Sequence, residues 1–267
     1  MIESRTIEVP SDEGPPAQIA VHTRGTGPLA VLIHGFPLDH RMWHDVMNGP
    51  LATQRTLCAI DLRGHGQSTG SGDVFSMERH ADDVAAVIQA LGSAPVDVCG
   101  LSMGGYVAFA LHSRHASLIR SLVLTNTRAA DDTEAQRTGR DAGIETATNH
   151  GSSAVADAML PKLLGASATD DHHARMRAMI EEIPVATIVA DQRGLQQRPD
   201  RRAELAHFQT PTLVMVGDED AVTPQAEAEQ MAATIPGAQL AIIAGTGHMS
   251  PLEDAEQWSA AVAPFWS

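Results

Sequence analysis

The chain has 267 residues, 43% of them hydrophobic, and its 18 basic and 33 acidic side chains give a formal net charge of −15. That length accommodates one domain with an insertion and a large core, and that composition excludes a disordered chain. An acid surplus spread along the chain repels nucleic-acid backbones and anionic lipid, so neither is an expected partner. Two cysteines, Cys58 and Cys99, are too few for a disulfide framework.

In chain order, "RTIEV" and "AQIAVHT" read as an opening pair of strands joined through the turn-rich "PSDEGPP". "LAVLIHG" is a continuous apolar run ending in glycine, the pattern of a strand buried on both faces. "TLCAIDLRG", "VDVCG" and "LIRSLVLTN" repeat it. Cys58 and Cys99 lie inside two of these runs, as buried free thiols do. Between the strands, "SMERHADDVAAVIQALG" places Val84, Val87, Ile88 and Leu91 on one helical face and stops at Gly92. Met103, Val107, Ala108 and Leu111 share a face in the next helix.

From about Arg128 to Phe208 the buried strands cease. Polar, alanine-rich segments take over, with a break at "NHGSS". Strand signals return at "TPTLVMVG" and "AQLAIIAG", and a helix carrying Trp258, Val262 and Phe265 closes the chain. The alternation predicts an α/β fold: a mostly parallel eight-stranded sheet with helices on both faces. Residues 1–127 and 208–267 form the core, and 128–207 an inserted helical cap. The opening "MIESRTIEVP" lacks the apolar run of a secretory signal, and no run is long enough to span a bilayer; a soluble, cytoplasmic protein is expected.

Parallel sheets bind ligands beyond the carboxyl ends of their strands, which is where the polar candidates fall. "GLSMG", residues 100–104, has the spacing of a nucleophile elbow. A sharp strand-to-helix turn lifts Ser102 clear of the sheet. Its strained backbone brings neighbouring residues so close that only Gly100 and Gly104 fit. A serine hydroxyl needs a base and an orienting acid. "LVMVGDEDAVTP" offers Asp218, Glu219 and Asp220 after one strand, and "LAIIAGTGHMSP" offers His248 after the next. Asp218 directly follows Gly217, where a short side chain bonds turn N–H groups; Asp220 sits deeper in its loop.

"DEDAVTP" lacks the glycine and glutamate positions of a calcium loop, and "DDHH" at 170–173 reads as a solvated helix face, so no metal is expected. In "HGFPLDHRMW" the Phe36 N–H can point at an oxyanion opposite the Met103 N–H, while His34 braces the loop. Arg63 and His65 of "DLRGHGQS" read as structural. Met159, Met176 and Met179 read as packing in the cap.

Taken together, "HGFP", "DLRGHGQS", "GLSMGG", "GDEDAVTP" and "GTGH" resemble, in order, the motifs of the α/β-hydrolase superfamily. More narrowly, "HGFPLDHRMW", "GLSMGG" and "DAVTP" look like the carboxylesterase and 3-oxoadipate enol-lactonase-like group. The resemblance implies a Ser102–Asp220–His248 triad and an oxyanion hole of Phe36 and Met103. It also implies that the strands of Cys58 and Cys99 flank the "LAVLIHG" strand, too far apart for a disulfide. Serine replaces the elbow aspartate of haloalkane dehalogenases and epoxide hydrolases, and Tyr106 is the only tyrosine. The expected function is hydrolysis of a small carboxylic ester or lactone without a cofactor. The alternatives are a cofactor-free perhydrolase (haloperoxidase) or a carbon–carbon bond hydrolase on the same triad, and a non-catalytic ligand receptor.

Overall fold

A strand that is apolar at nearly every position must be covered on both faces. The computed structural model, which describes residues 1–10 and 16–267, meets that demand with one eight-stranded sheet. The strands are β1 (Glu3–Val9), β2 (Ala17–Gly25), β3 (Leu29–Ile33), β4 (Thr56–Ile60), β5 (Val96–Leu101), β6 (Ile119–Thr125), β7 (Thr212–Gly217) and β8 (Gln239–Ile243). Their order is β1-β2-β4-β3-β5-β6-β7-β8. The pairs β1–β2 and β2–β4 are antiparallel, and all others are parallel. Most of the "PSDEGPP" link lies outside the described residues.

The helices are α1 (His44–Asn48), α2 (Met77–Leu91), α3 (Met103–His115), α4 (Glu134–Leu163), α5 (Asp170–Glu182), α6 (Val185–Gln197), α7 (Arg202–Leu205), α8 (Gln225–Thr234), α9 (Ser250–Glu253) and α10 (Ala255–Trp266). α2, α3 and α8 cover one face of the sheet, and α1, α9 and α10 the other. In α2, Ser76 caps the first turn by accepting from the Arg79 N–H, and Gly92 ends it in the left-handed region at φ 66°. Val84, Val87 and Ile88 are buried as the periodicity requires, each stabilising the fold by roughly 1.5–3 kcal/mol.

Register settles the thiols. Val31 of β3 lies opposite Cys58 of β4 and Val98 of β5, whereas Cys99 lies opposite Leu32. Side chains alternate along a strand, so the two cysteines point to opposite faces, on strands that flank β3. Both are buried and free, and burial pushes the Cys58 thiol up to about 12. β8, an edge strand, leaves Leu240 and Ile242 partly exposed despite its apolar run.

Among the described residues, the segment between β6 and β7 holds α4 to α7 and no strand. α4 breaks at Gly151 (φ 81°, ψ 178°), within the "NHGSS" of the sequence. The segment is tied to the sheet side by buried contacts. Asp191 of α6 meets His65 Nε2 at 2.9 Å and His80 Nε2 at 3.0 Å, and the His248 N–H donates to Leu163 O at the end of α4. A Cβ on Gly194 would lie 1.8 Å from Phe75 O, so this close approach of α6 admits only glycine. No helix among the described residues is long and apolar enough to cross a membrane.

Candidate active site

Ser102 joins the end of β5 to the start of α3 at φ 53°, ψ −112°, a strained conformation for a residue with a side chain. The glycines around it are dictated by backbone proximity. A Cβ on Gly100 would sit 2.1 Å from Gly104 O, and one on Gly104 would sit 2.3 Å from Ile33 O. The turn is pinned by the Ser102 N–H donating to Thr125 O and by Thr127 Oγ1 donating to Ser102 O. Met103 opens α3, so its N–H has no partner within the helix. Among the described residues, neither it nor the Phe36 N–H has an acceptor.

Asp220 follows β7 and His248 follows β8, and the loops bring them together in a nearly water-free position. His248 Nδ1 lies 2.9 Å from Asp220 Oδ2 and 3.1 Å from Oδ1. Asp220 Oδ1 also accepts from the N–H groups of Val222 and Thr223, and Oδ2 from Thr223 Oγ1 and Asn126 Nδ2. Burial acts to raise the Asp220 carboxyl. The His248 ring and the hydrogen bonds from His248, Thr223 and Asn126 outweigh it and hold the group at about 2. A carboxylate only accepts, so Nδ1 of His248 carries the proton and Nε2 of the neutral ring keeps its lone pair.

Asp218 lies apart from His248, but not by bonding its own turn as the sequence suggested: its exposed carboxylate accepts from the Gly245 N–H at 2.7 Å, in the loop after β8, and it is Asp220 that takes the turn N–H groups. Glu219 accepts from the Ala166 N–H. Sequence reasoning missed Asn126 and Thr223, which hold Asp220. Asn126 directly follows β6 at φ 47°, gives its Nδ2 to Asp220 and Gly247 O, and accepts from Ser250 Oγ. The one available signal was a polar "TN" closing an apolar strand.

Ser102, Phe36, Met103 and His248 all line one cavity of about 570 Å³, roofed by residues of α4 and α6 that include Gln136, Met159 and Gln192. That volume suits a small organic molecule. Met159 packs against the core, as expected, and also lines the cavity, while Met176 and Met179 are buried in the core. His34 braces its loop: the Leu62 N–H donates to Nε2 and Nδ1 donates to Gly35 O. Burial first, then the neighbouring His65, lowers its pKa to about 4. Arg63 is clamped by Asp83, and "DDHH" opens α5 on a largely exposed face.

Among the described residues, one group has metal-ligand geometry: His22, His40 and Asp61, with ligand atoms within 4.8 Å of one another. It lies outside the cavity lining. Each ring is already hydrogen-bonded to Asp61, which also accepts from the N–H groups of His40 and Gln67. The carboxylate is saturated by protein donors, and the cluster fixes the loops after β3 and β4.

The fold that carries this site is shared with known proteins. A thermophilic esterase from Thermogutta terrifontis, solved with malate bound, superposes with a TM-score of 0.93 at 34% identity over 98% of both chains. The enol-lactonase from Burkholderia xenovorans LB400 superposes at 0.84 with 26% identity, covering 94% of this chain and 96% of that one. In sequence, the pimeloyl-[acyl-carrier protein] methyl ester esterase of Neisseria meningitidis serogroup C / serotype 2a is 29% identical over 244 residues, 88% of this chain and 91% of that protein. The family model for the alpha/beta hydrolase fold matches residues 28–255, which spans every one of these site residues, and the chain belongs to that family.

Proposed function

We propose that the protein hydrolyses a small carboxylic ester or lactone through an acyl-enzyme on Ser102. His248 Nε2 takes the Ser102 proton as Oγ attacks the carbonyl carbon, and the oxyanion is held by the N–H groups of Phe36 and Met103. The carbonyl re-forms as the C–O bond to the alkoxide breaks, and His248 returns the proton to that alkoxide. Water, deprotonated by His248, then attacks the acyl-enzyme and releases the acid and Ser102. Asp220 keeps the ring in its Nδ1–H tautomer and stabilises the charged form. Residues 128–207 act as a cap over a core of 1–127 and 208–267, and bound the substrate.

The observation that carries this reading is the His248–Asp220 hydrogen bond beside a cavity that His248 shares with Ser102, whose backbone is held at φ 53°. The esterase and lactonase relatives favour the same chemistry. A panel of acyl esters and lactones, assayed with the wild type and Ser102→Ala, tests it. Turnover of an ester or lactone that falls by roughly 10⁴-fold in the variant is expected. Peracid formation from peroxide with no hydrolysis, or equal turnover by the variant, refutes it.

A further inference from the structure

The chain carries almost twice as many acidic as basic side chains, yet among the described residues no aspartate or glutamate lines the cavity that holds Ser102 and His248. Three cations do: Arg128, Arg140 and Lys162. Lys162 is the only lysine in the sequence, and among the described residues its ammonium has no hydrogen-bond or ion-pair partner. It comes from the last turn of α4, the element that roofs the cavity.

Beneath the lining the charges do not balance either. Asp132 is fully buried and is shared by three guanidinium groups. Arg128 and Arg198 reach its Oδ1 at 2.8 and 2.6 Å, and Arg140 bonds both oxygens. One carboxylate among three guanidinium groups leaves a formal surplus of two positive charges, and Lys162 adds a third. Arg128 is 8% exposed, and among the described residues its Nε has no hydrogen-bond partner. Of the other acids around this cluster, Glu78 is committed to Arg201 at 2.8 Å, and Asp200, which also feels Arg198, to Arg202 at 2.6 Å. Arg198 spreads part of its charge over the Tyr106 ring, 4.2 Å from the centroid. Arg128 is buried, Arg140 half-buried and Lys162 exposed at the rim, and unbalanced positive charge graded from rim to interior favours a ligand that supplies the missing negative charge.

We propose that this cavity selects esters or lactones that carry a second, carboxylate group, and that Lys162, backed by Arg128 and Arg140, binds that carboxylate. The inference rests on the hydrolase reading only for the identity of the ester. The anion site itself stands on the lining charges. Its role is to orient one end of the substrate while the other end meets Ser102, so a half-ester of a small dicarboxylic acid is the expected class.

The test uses half-esters from succinate to suberate, each paired with a neutral ethyl ester of the same chain length. For the best chain length, kcat/KM for the half-ester should exceed that for the neutral ester at least tenfold, and added salt should erode the preference. Lys162→Met should reduce that ratio at least tenfold, through KM, and Lys162→Arg should restore most of it. The free dicarboxylates are then titrated calorimetrically against the full-length protein, a readout that needs no turnover. Binding that weakens at least tenfold in Lys162→Met supports the anion site even if no ester is cleaved, an outcome that would defeat the hydrolase reading alone. Cleavage of neutral and anionic esters at equal kcat/KM overturns the proposal and spares the hydrolase reading. Dicarboxylate binding that is undetectable or indifferent to Lys162→Met also overturns it.

Discussion

Replacing Asp220 by asparagine changes one oxygen into an amino group, and the structure dictates which one. Oδ1 accepts from two backbone N–H groups, of Val222 and Thr223, both at 2.8 Å, so the amide oxygen is held there. The amino group is forced to the Oδ2 position, where it faces His248 Nδ1, Asn126 Nδ2 and Thr223 Oγ1. It can donate to His248 only if Nδ1 gives up its proton. The ring then carries its proton on Nε2, the nitrogen that must accept from Ser102. The expected loss is on the order of 10⁴ in kcat, about 5.5 kcal/mol of transition-state stabilisation. The amino group also meets the Asn126 amide donor-to-donor, which costs about 1–3 kcal/mol of stability. Steady-state kinetics on the best ester of the panel, with urea unfolding of the same samples, reads both quantities. An Asp220→Asn enzyme that retains kcat within about tenfold while folded would remove the tautomer argument and the triad with it.

Asp218→Asn should behave differently. Its side chain is exposed and an amide oxygen can still accept from the Gly245 N–H, so kcat should be unchanged and stability should fall by less than about 0.5 kcal/mol in urea unfolding. Asp191→Asn should reveal a pH-dependent latch between α6 and the sheet side. Burial acts to raise the Asp191 carboxyl, but His65 and His80 hold it at about 2, against 3.8 ordinarily, so it contributes about 2 kcal/mol that is present above pH 4 and lost as pH falls toward 2. Burial lowers the pKa of His65, yet Asp191 outweighs it and raises the group above 6.5, so that contribution is complete below pH 6.5 and is lost as pH rises through the folded value. The stability difference between wild type and Asp191→Asn should therefore peak between about pH 4 and 6.5 and shrink on both sides; a difference constant from pH 2 to 9 would refute the latch.

What the sequence revealed was whatever is enforced locally. Gly100 and Gly104 leave a mark because a Cβ at either would collide with backbone, and that collision is encoded within five residues. His248 and the acidic loop were legible through their place after strands, but local turn geometry did not separate Asp218 from Asp220 as expected: the turn N–H groups bind Asp220, and Asp218 reaches Gly245 across 27 positions. The sheet was legible because strands covered on both faces are apolar throughout. Contacts between distant, ordinary residues left no trace. Asn126 reaches Asp220 across 94 positions, and Asp191 reaches His80 across 111. The arginines around Asp132 look, in the sequence, like any charged helix surface; only the folding of α4 and α6 onto the site shows that they face inward, and the same holds for Met159. The motifs locate the proposed chemistry, whereas the substrate is written in the non-local packing of α4 and α6.

The assignment of Ser102 as nucleophile can be tested without knowing the substrate, by treating the protein with a serine-directed fluorophosphonate and mapping the product by peptide mass spectrometry. One adduct per chain is expected, on the peptide containing Ser102, absent from Ser102→Ala and formed far more slowly by His248→Ala. A folded wild-type protein that forms no adduct, or forms it on another residue, would contradict the account.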